Sequence, residues 1–203
     1  MLFDDTYHTI ENPVEGIFRD RGSKFLAYAY PVINEHELKD ILSQIKNEHP
    51  KANHHCWALR LTIDRSVFRI NDDGEPAGTA GRPILNTLLS RDLTNIAVVV
   101  VRYFGGTLLG VPGLINAYKL ATEDALSKAL IVEKTVNDIY AVEFDYLQMN
   151  DVMRIIKDDN LPILSQQFDN NCNIRLSIRK SRVNQTVSKF EKLTGVKMKF
   201  LTS

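Results

Sequence analysis

The sequence predicts an α+β protein of two domains, residues 1–135 and 136–203. Three observations carry that expectation. The run IAVVVV at Ile96–Val101 is β-branched and lacks polar alternation, which is the signature of a strand buried on both faces. Alternating segments and helical stripes precede and follow it, as in a mixed sheet with packed helices. Beyond Val136 the order strand, helix, strand, strand, helix, strand is the βαββαβ string of a ferredoxin-like sandwich.

Taken in order, GIFRDRGSKFLAYAYPV (residues 16–32) alternates apolar and polar residues on either side of an Arg-Gly turn and predicts a hairpin. A helix follows: Asn34 is placed to cap it, Glu37 stands at its third position, Leu38, Ile41, Leu42 and Ile45 share one face, and Pro50 closes it. HHCWALRLTI and SVFRIND form a second strand pair, turning at Asp64 and Arg65. NDDGEPAGTAG is then read as a long solvated loop, its acids facing water. Arg82–Arg91 carries Ile84, Leu85, Leu88 and Leu89 at helical spacing, with Pro83 in the first turn. After the central strand, RYFGGTLLGVPGL turns the chain into a helix whose stripe is Leu114, Ile115, Tyr118, Ala121, Ala125 and Leu126. In the second domain the strands are DIYAVEFDY, LPILSQQF, CNIRLSIR and VKMKFLT, and the helices LQMNDVMRIIKDD and VNQTVSKFEKLT.

Composition narrows the function classes. Hydrophobic residues make up 44% and charged residues 25%, the balance of a globular protein. Lys plus Arg and Asp plus Glu number 25 each, so any nucleic-acid contact must be a local patch. MLFDDTYHTI has acids where a secretory signal needs bases, and no apolar run approaches the roughly 20 residues a bilayer requires. Cys56 and Cys172 are far apart and outside any C-x-x-C spacing. The expectation is a cytoplasmic protein without membrane, metal or cofactor.

The candidate sites are the glycine-rich loops. Gly74, Gly78 and Gly81 can bring backbone amides together on an anion at the helix start beside Arg82. Asp72, Asp73 and Glu75 lack the spacing of a calcium loop. His54 and Cys56 fall on one face of a strand, but no motif supplies a group to orient a nucleophilic pair. RYFGGTLLGVPGL lacks the lysine, the hydroxyl and the spacing of nucleotide-binding loops, though Arg102 and Tyr103 offer a cationic fork and a ring to a phosphate or base. Arg175, Arg179, Lys180 and Arg182 make a small basic patch suited to RNA phosphates or to guarding a sheet edge.

HHCWALRL, NDDGEPAGTAGRPIL and VVVVRYFGGTLLGVPGLINAY, in that order and spacing, resemble the IMPACT/YigZ family from about Gly22 to Ala129, and the second domain is similar to the small domain of its bacterial members. The positions that match are His54, Cys56, Glu75, Pro76, Gly78, Thr79, Gly81, Pro83, Arg102, Tyr103, Gly105, Gly106, Gly110, Gly113, Leu114, Ala117 and Tyr118. Pro112 and Asn116 depart from the family's usual glycine and basic residue. The resemblance implies an N-terminal fold like elongation factor G domain IV and the GHMP kinases, and a C-terminal domain like domain V of that factor. It attaches no catalytic role to the matching residues. It implies a non-enzymatic regulator of translation that binds ribosome or structured RNA through the glycine loops, or a translation-related protein. The alternatives are a phosphate- or nucleotide-binding enzyme using the same loops, and a protein-interaction adaptor.

Overall fold

The computed structural model describes residues 5–62, 66–168 and 171–202. The chain divides into two compact units: Tyr7–Lys134, and a second in which Thr135 onward is joined by the N-terminal segment up to Thr6.

In the first unit the strands are β1 (Thr6–Ile10), β2 (Val14–Asp20), β3 (Ser23–Pro31), β4 (His54–Leu61), β5 (Val67–Asn71), β6 (Ile96–Tyr103) and β7 (Ile131–Thr135). Its helices are α1 (Glu35–Glu48), α2 (Gly81–Ser90) and α3 (Gly110–Ser127). A five-stranded sheet runs β2-β3-β6-β4-β5, every neighbouring pair antiparallel, with β6 in the middle. That position accounts for the apolar run. Ile96, Val98 and Val100 enter the core under α2 and α3, whereas Ala97, Val99 and Val101 enter a second core with Leu38 and Ile45 of α1. A strand covered on both faces has no place for polar alternation.

Local signals held where they were local. Arg21 and Gly22, both at positive φ, make the two-residue turn of the β2–β3 hairpin. Asn34 Oδ1 accepts the Glu37 amide (3.0 Å) while the Glu37 carboxylate accepts the Ile33 amide (3.0 Å), a reciprocal cap on α1. The turn at Asp64 and Arg65 lies outside the described residues. Two stripe residues differ from expectation: Leu89 and Ile115 are exposed, because α2 and α3 turn those positions away from the sheet. β1 pairs with β7 in a separate two-stranded sheet that the N-terminal sequence did not announce.

The second unit contains β8 (Asn137–Phe144), α4 (Met149–Asp158), β9 (Ile163–Phe168), β10 (Cys172–Arg179), α5 (Val183–Glu191) and β11 (Lys197–Thr202). Its sheet order is β11-β8-β10-β9 with antiparallel neighbours, the arrangement of a ferredoxin-like sandwich. Val142, Phe144, Val152, Ile156, Ile174, Leu176, Ile178 and Phe190 form its core. Among the described residues no helix is long and apolar enough to cross a membrane.

Candidate functional site

Strand register brings the two glycine loops to one end of the five-stranded sheet. His54, the first residue of β4, pairs with Arg102, the penultimate residue of β6, so the loop after β5 and the loop after β6 leave the sheet side by side. Between them lies a buried polar cluster.

Glu75 is its centre. Its side chain is 3% exposed, and Oε1 accepts from the Arg102 guanidinium (Nη1, 2.5 Å) and from the Tyr118 hydroxyl (2.8 Å). The Arg102 side chain is 6% exposed, with its guanidinium carbon 5.4 Å from the ring centroids of both Phe25 and Phe104. Two charges this deep persist only because each satisfies the other. The expectation that loop acids face water and that Arg102 offers a free cationic fork is therefore corrected for Glu75 and Arg102. His54 donates from Nδ1 to the Asp73 carbonyl (2.8 Å), which turns Nε2 toward Glu75 at 3.9 Å. The Cys56 thiol lies 3.0 Å from the Asp72 carbonyl and 3.2 Å from the Tyr118 hydroxyl. Burial pushes the Cys56 thiol up from its ordinary pKa, and burial together with Cys56 and Glu75 does the same to Tyr118. Cys56 is thus a neutral, fully buried thiol, the opposite of what a nucleophile needs.

The glycine amides of the first loop do converge on an anion, but it is the protein's own. Asp72 accepts from the amides of Gly78 (2.8 Å), Ala80 (3.1 Å) and Gly81 (2.8 Å), capping α2 from eight or nine residues upstream, and Thr79 Oγ1 closes the loop on the Pro76 carbonyl (2.6 Å). The amides of Gly78 and Gly81 are accordingly committed internally. Asp73 takes the His55 amide (2.6 Å). Burial lowers the pKa of the His55 imidazole.

The second loop is fastened by backbone. Gly105 lies directly on the hairpin turn: a Cβ there would fall 1.9 Å from the Gly22 carbonyl carbon, so only glycine fits. Its amide donates to Ser23 Oγ (3.1 Å), and the Phe104 amide donates to Asn53 Oδ1 (2.8 Å). The Tyr103 hydroxyl meets His49 Nδ1 (2.9 Å), whose Nε2 meets the hydroxyl of Tyr28, a phenol pushed up to about 12 by burial and by Glu15 and Glu48. Gly106 has open space around it, Gly110 opens α3, and Gly113 lies in its first turn against Leu109.

The solvent side carries different groups. Arg82 is exposed, with its guanidinium 6.0 Å from the centre of the Phe68 ring. Phe104, Leu108 and Val111 are exposed, Leu108 to 81%. Between α2 and α3 runs a groove of about 590 Å³ lined by Arg82, Asn86 and Ser90 from one helix and Ile115, Lys119 and Glu123 from the other.

Residues 21–126, which contain both loops and every member of the buried cluster, match the family model described as the Impact N-terminal domain. The chain belongs to the IMPACT family. The Haemophilus influenzae IMPACT family member is 36% identical over 178 residues, covering 86% of each chain. IMPACT family member YigZ of Escherichia coli is 30% identical over 179 residues, covering 87% of this chain and 88% of its own. A crystal structure described as that of a hypothetical protein superimposes with a TM-score of 0.73 at 27% identity, covering 98% of both chains.

The basic patch lies outside the matched IMPACT region, in the second unit. It is not a uniform cationic surface. Arg179 is bound to Asp5 (Nη2 to Oδ1, 2.7 Å) and Lys180, though exposed, lies 3.9 Å from Asp138; Arg175 and Arg182 are also exposed. Sequence reasoning missed Asp72 as a cap, because no local motif spans eight or nine residues. It also missed Asn86, Ser90, Lys119 and Glu123, although each continues an i, i+4 series from Arg82 or Ile115 that would have marked a polar stripe.

Proposed function

We propose that this IMPACT family member is a non-enzymatic, cytoplasmic, translation-associated protein that docks on ribosome or structured RNA. The docking face comprises the outer rim of the two glycine loops and the adjoining α2–α3 groove. One observation carries the reading. The reactive groups of the family motifs, Cys56, Glu75, Arg102 and Tyr118, are buried and bonded to one another, so the motifs shape the loops instead of reacting with a substrate. Left to meet a partner are Arg82, Lys119, whose Nζ lies 3.8 Å from the Glu123 carboxylate, and the apolar rim of Phe104, Leu108 and Val111. The family's link to translation supplies the class of partner, and a cationic, partly aromatic rim suits phosphate and unstacked bases.

Equilibrium binding to purified ribosomes and to a structured RNA, measured across a salt series, tests this. Affinity is expected to fall with salt, and Arg82→Ala with Lys119→Ala is expected to weaken binding and flatten the salt slope by about 1–2. Absence of salt-sensitive binding, or a double variant that binds as the parent does, would exclude this face.

A further inference from the structure

The two larger sheets expose four edge strands, and one differs from the rest. β2 carries Glu15, Arg19 and Asp20, β5 carries Arg69, and β11 carries Lys197 and Lys199. Such charges are what native sheets use to discourage pairing at an open edge. β9, ILSQQF, carries none, and it contains no proline. All six of its residues are exposed, with Leu164 at 53% and Phe168 at 44%, and among the described residues its strand ladder is made with β10. The irregularity in its pairing with β10 falls at the Leu164 end, so Ser165 to Phe168 is the regular part. An uncharged strand of this kind at an open edge is a template for a further strand.

We infer that β9 is a self-association edge, pairing antiparallel with β9 of a second copy about a two-fold axis to make one continuous sheet of two ferredoxin-like units. The sequence of the strand selects this occupant. A two-fold through Gln166 sets Gln166 against its own copy and Ser165 against Gln167, and brings Leu164, at the irregular end, beside Phe168. Amide then meets amide, polar meets polar and apolar meets apolar, as a self-complementary contact requires. A basic or acidic peptide would find no counter-charge along the strand. The contact is independent of the RNA-binding proposal, since it uses no residue of the first unit.

Sedimentation velocity of the full chain over a wide concentration range, paired with hydrogen exchange at low and high concentration, provides the test. The expected result is a reversible monomer–dimer equilibrium in which the amides of residues 163–168 gain protection as concentration rises. Leu164→Lys, which sets a charge in place of the apolar partner of Phe168 at both ends of the pairing, is expected to weaken dimerisation by about tenfold. Phe200→Lys on the opposite edge is expected to leave it unchanged and to control for folding. A monomer at every concentration, a dimer whose β9 amides exchange as in the monomer, or one indifferent to Leu164→Lys would overturn the inference. So would a monomer that captures the edge strand of a different protein.

Discussion

Glu75 and Arg102 are the residues on which the loop cluster depends. Each is buried and each is charged; the Phe25 and Phe104 rings pack on the guanidinium, and the Tyr118 hydroxyl donates to the carboxylate. Glu75→Gln would leave a guanidinium without its counter-charge in that setting, at an expected cost of about 3–5 kcal/mol. Urea unfolding measures the loss, and the paired variant Glu75→Gln, Arg102→Met is expected to recover much of it because neither charge is then stranded. A paired variant as unstable as the single one would show that the ion pair is not what holds the loops. None of this was legible locally. Glu75 stands among polar neighbours and reads as solvated, while its partners lie 27 and 43 positions away and reach it only through the register of β4 with β6 and the packing of α3. The motif spacing did mark the residues; only topology could pair them.

At the level of elements, α2 shows how a helix can be started from a distance. Its own N-cap residue, Ala80, has no polar side chain to offer, and Asp72 supplies the carboxylate that three amides require. Asp72→Ala is expected to cost about 1–2 kcal/mol, with Asp72→Asn retaining part of the cap. Thermal unfolding gives the magnitude, and faster hydrogen exchange at Gly78, Ala80 and Gly81 locates it. Unchanged exchange at those amides would mean that water caps the helix equally well. The contrast with α1 explains what could be read in advance. Asn34 and Glu37 sit within one turn of the helix they cap, as do the residues of the β2–β3 hairpin, so short-range chemistry specified both. β1 and β7 pair with each other across more than a hundred residues, and neither is periodic enough to be seen alone. The exposed positions Leu89 and Ile115 fit a helical stripe by spacing, but the helices turn them away from the sheet.

Over the whole molecule, the acid response is expected to concentrate at the N-terminal segment of the second unit. Arg179 donates to both oxygens of the Asp5 carboxylate, and the Ser181 amide adds a third donor (2.9 Å), holding the Asp5 carboxyl well below the usual carboxylate range. A carboxyl depressed by folding contributes stability that is present above its unfolded pKa of about 4 and is lost as pH falls through the folded value. Asp5→Asn is therefore expected to cost about 1–2 kcal/mol at neutral pH, a figure kept modest because the Arg179 side chain is 40% exposed. The gap between parent and variant should close progressively below about pH 4, which urea titrations at neutral and acid pH would measure. A gap constant with pH would assign the loss to packing. A different consequence belongs to the contact of Gly105 with the hairpin turn, where one backbone rests on another with no side-chain thickness between them. Turns joined in this way cannot drift apart in length. A residue gained by either would lift the other from its seat, so an insertion in the hairpin tip or in the loop beyond β6 is expected to require a matching change in the other.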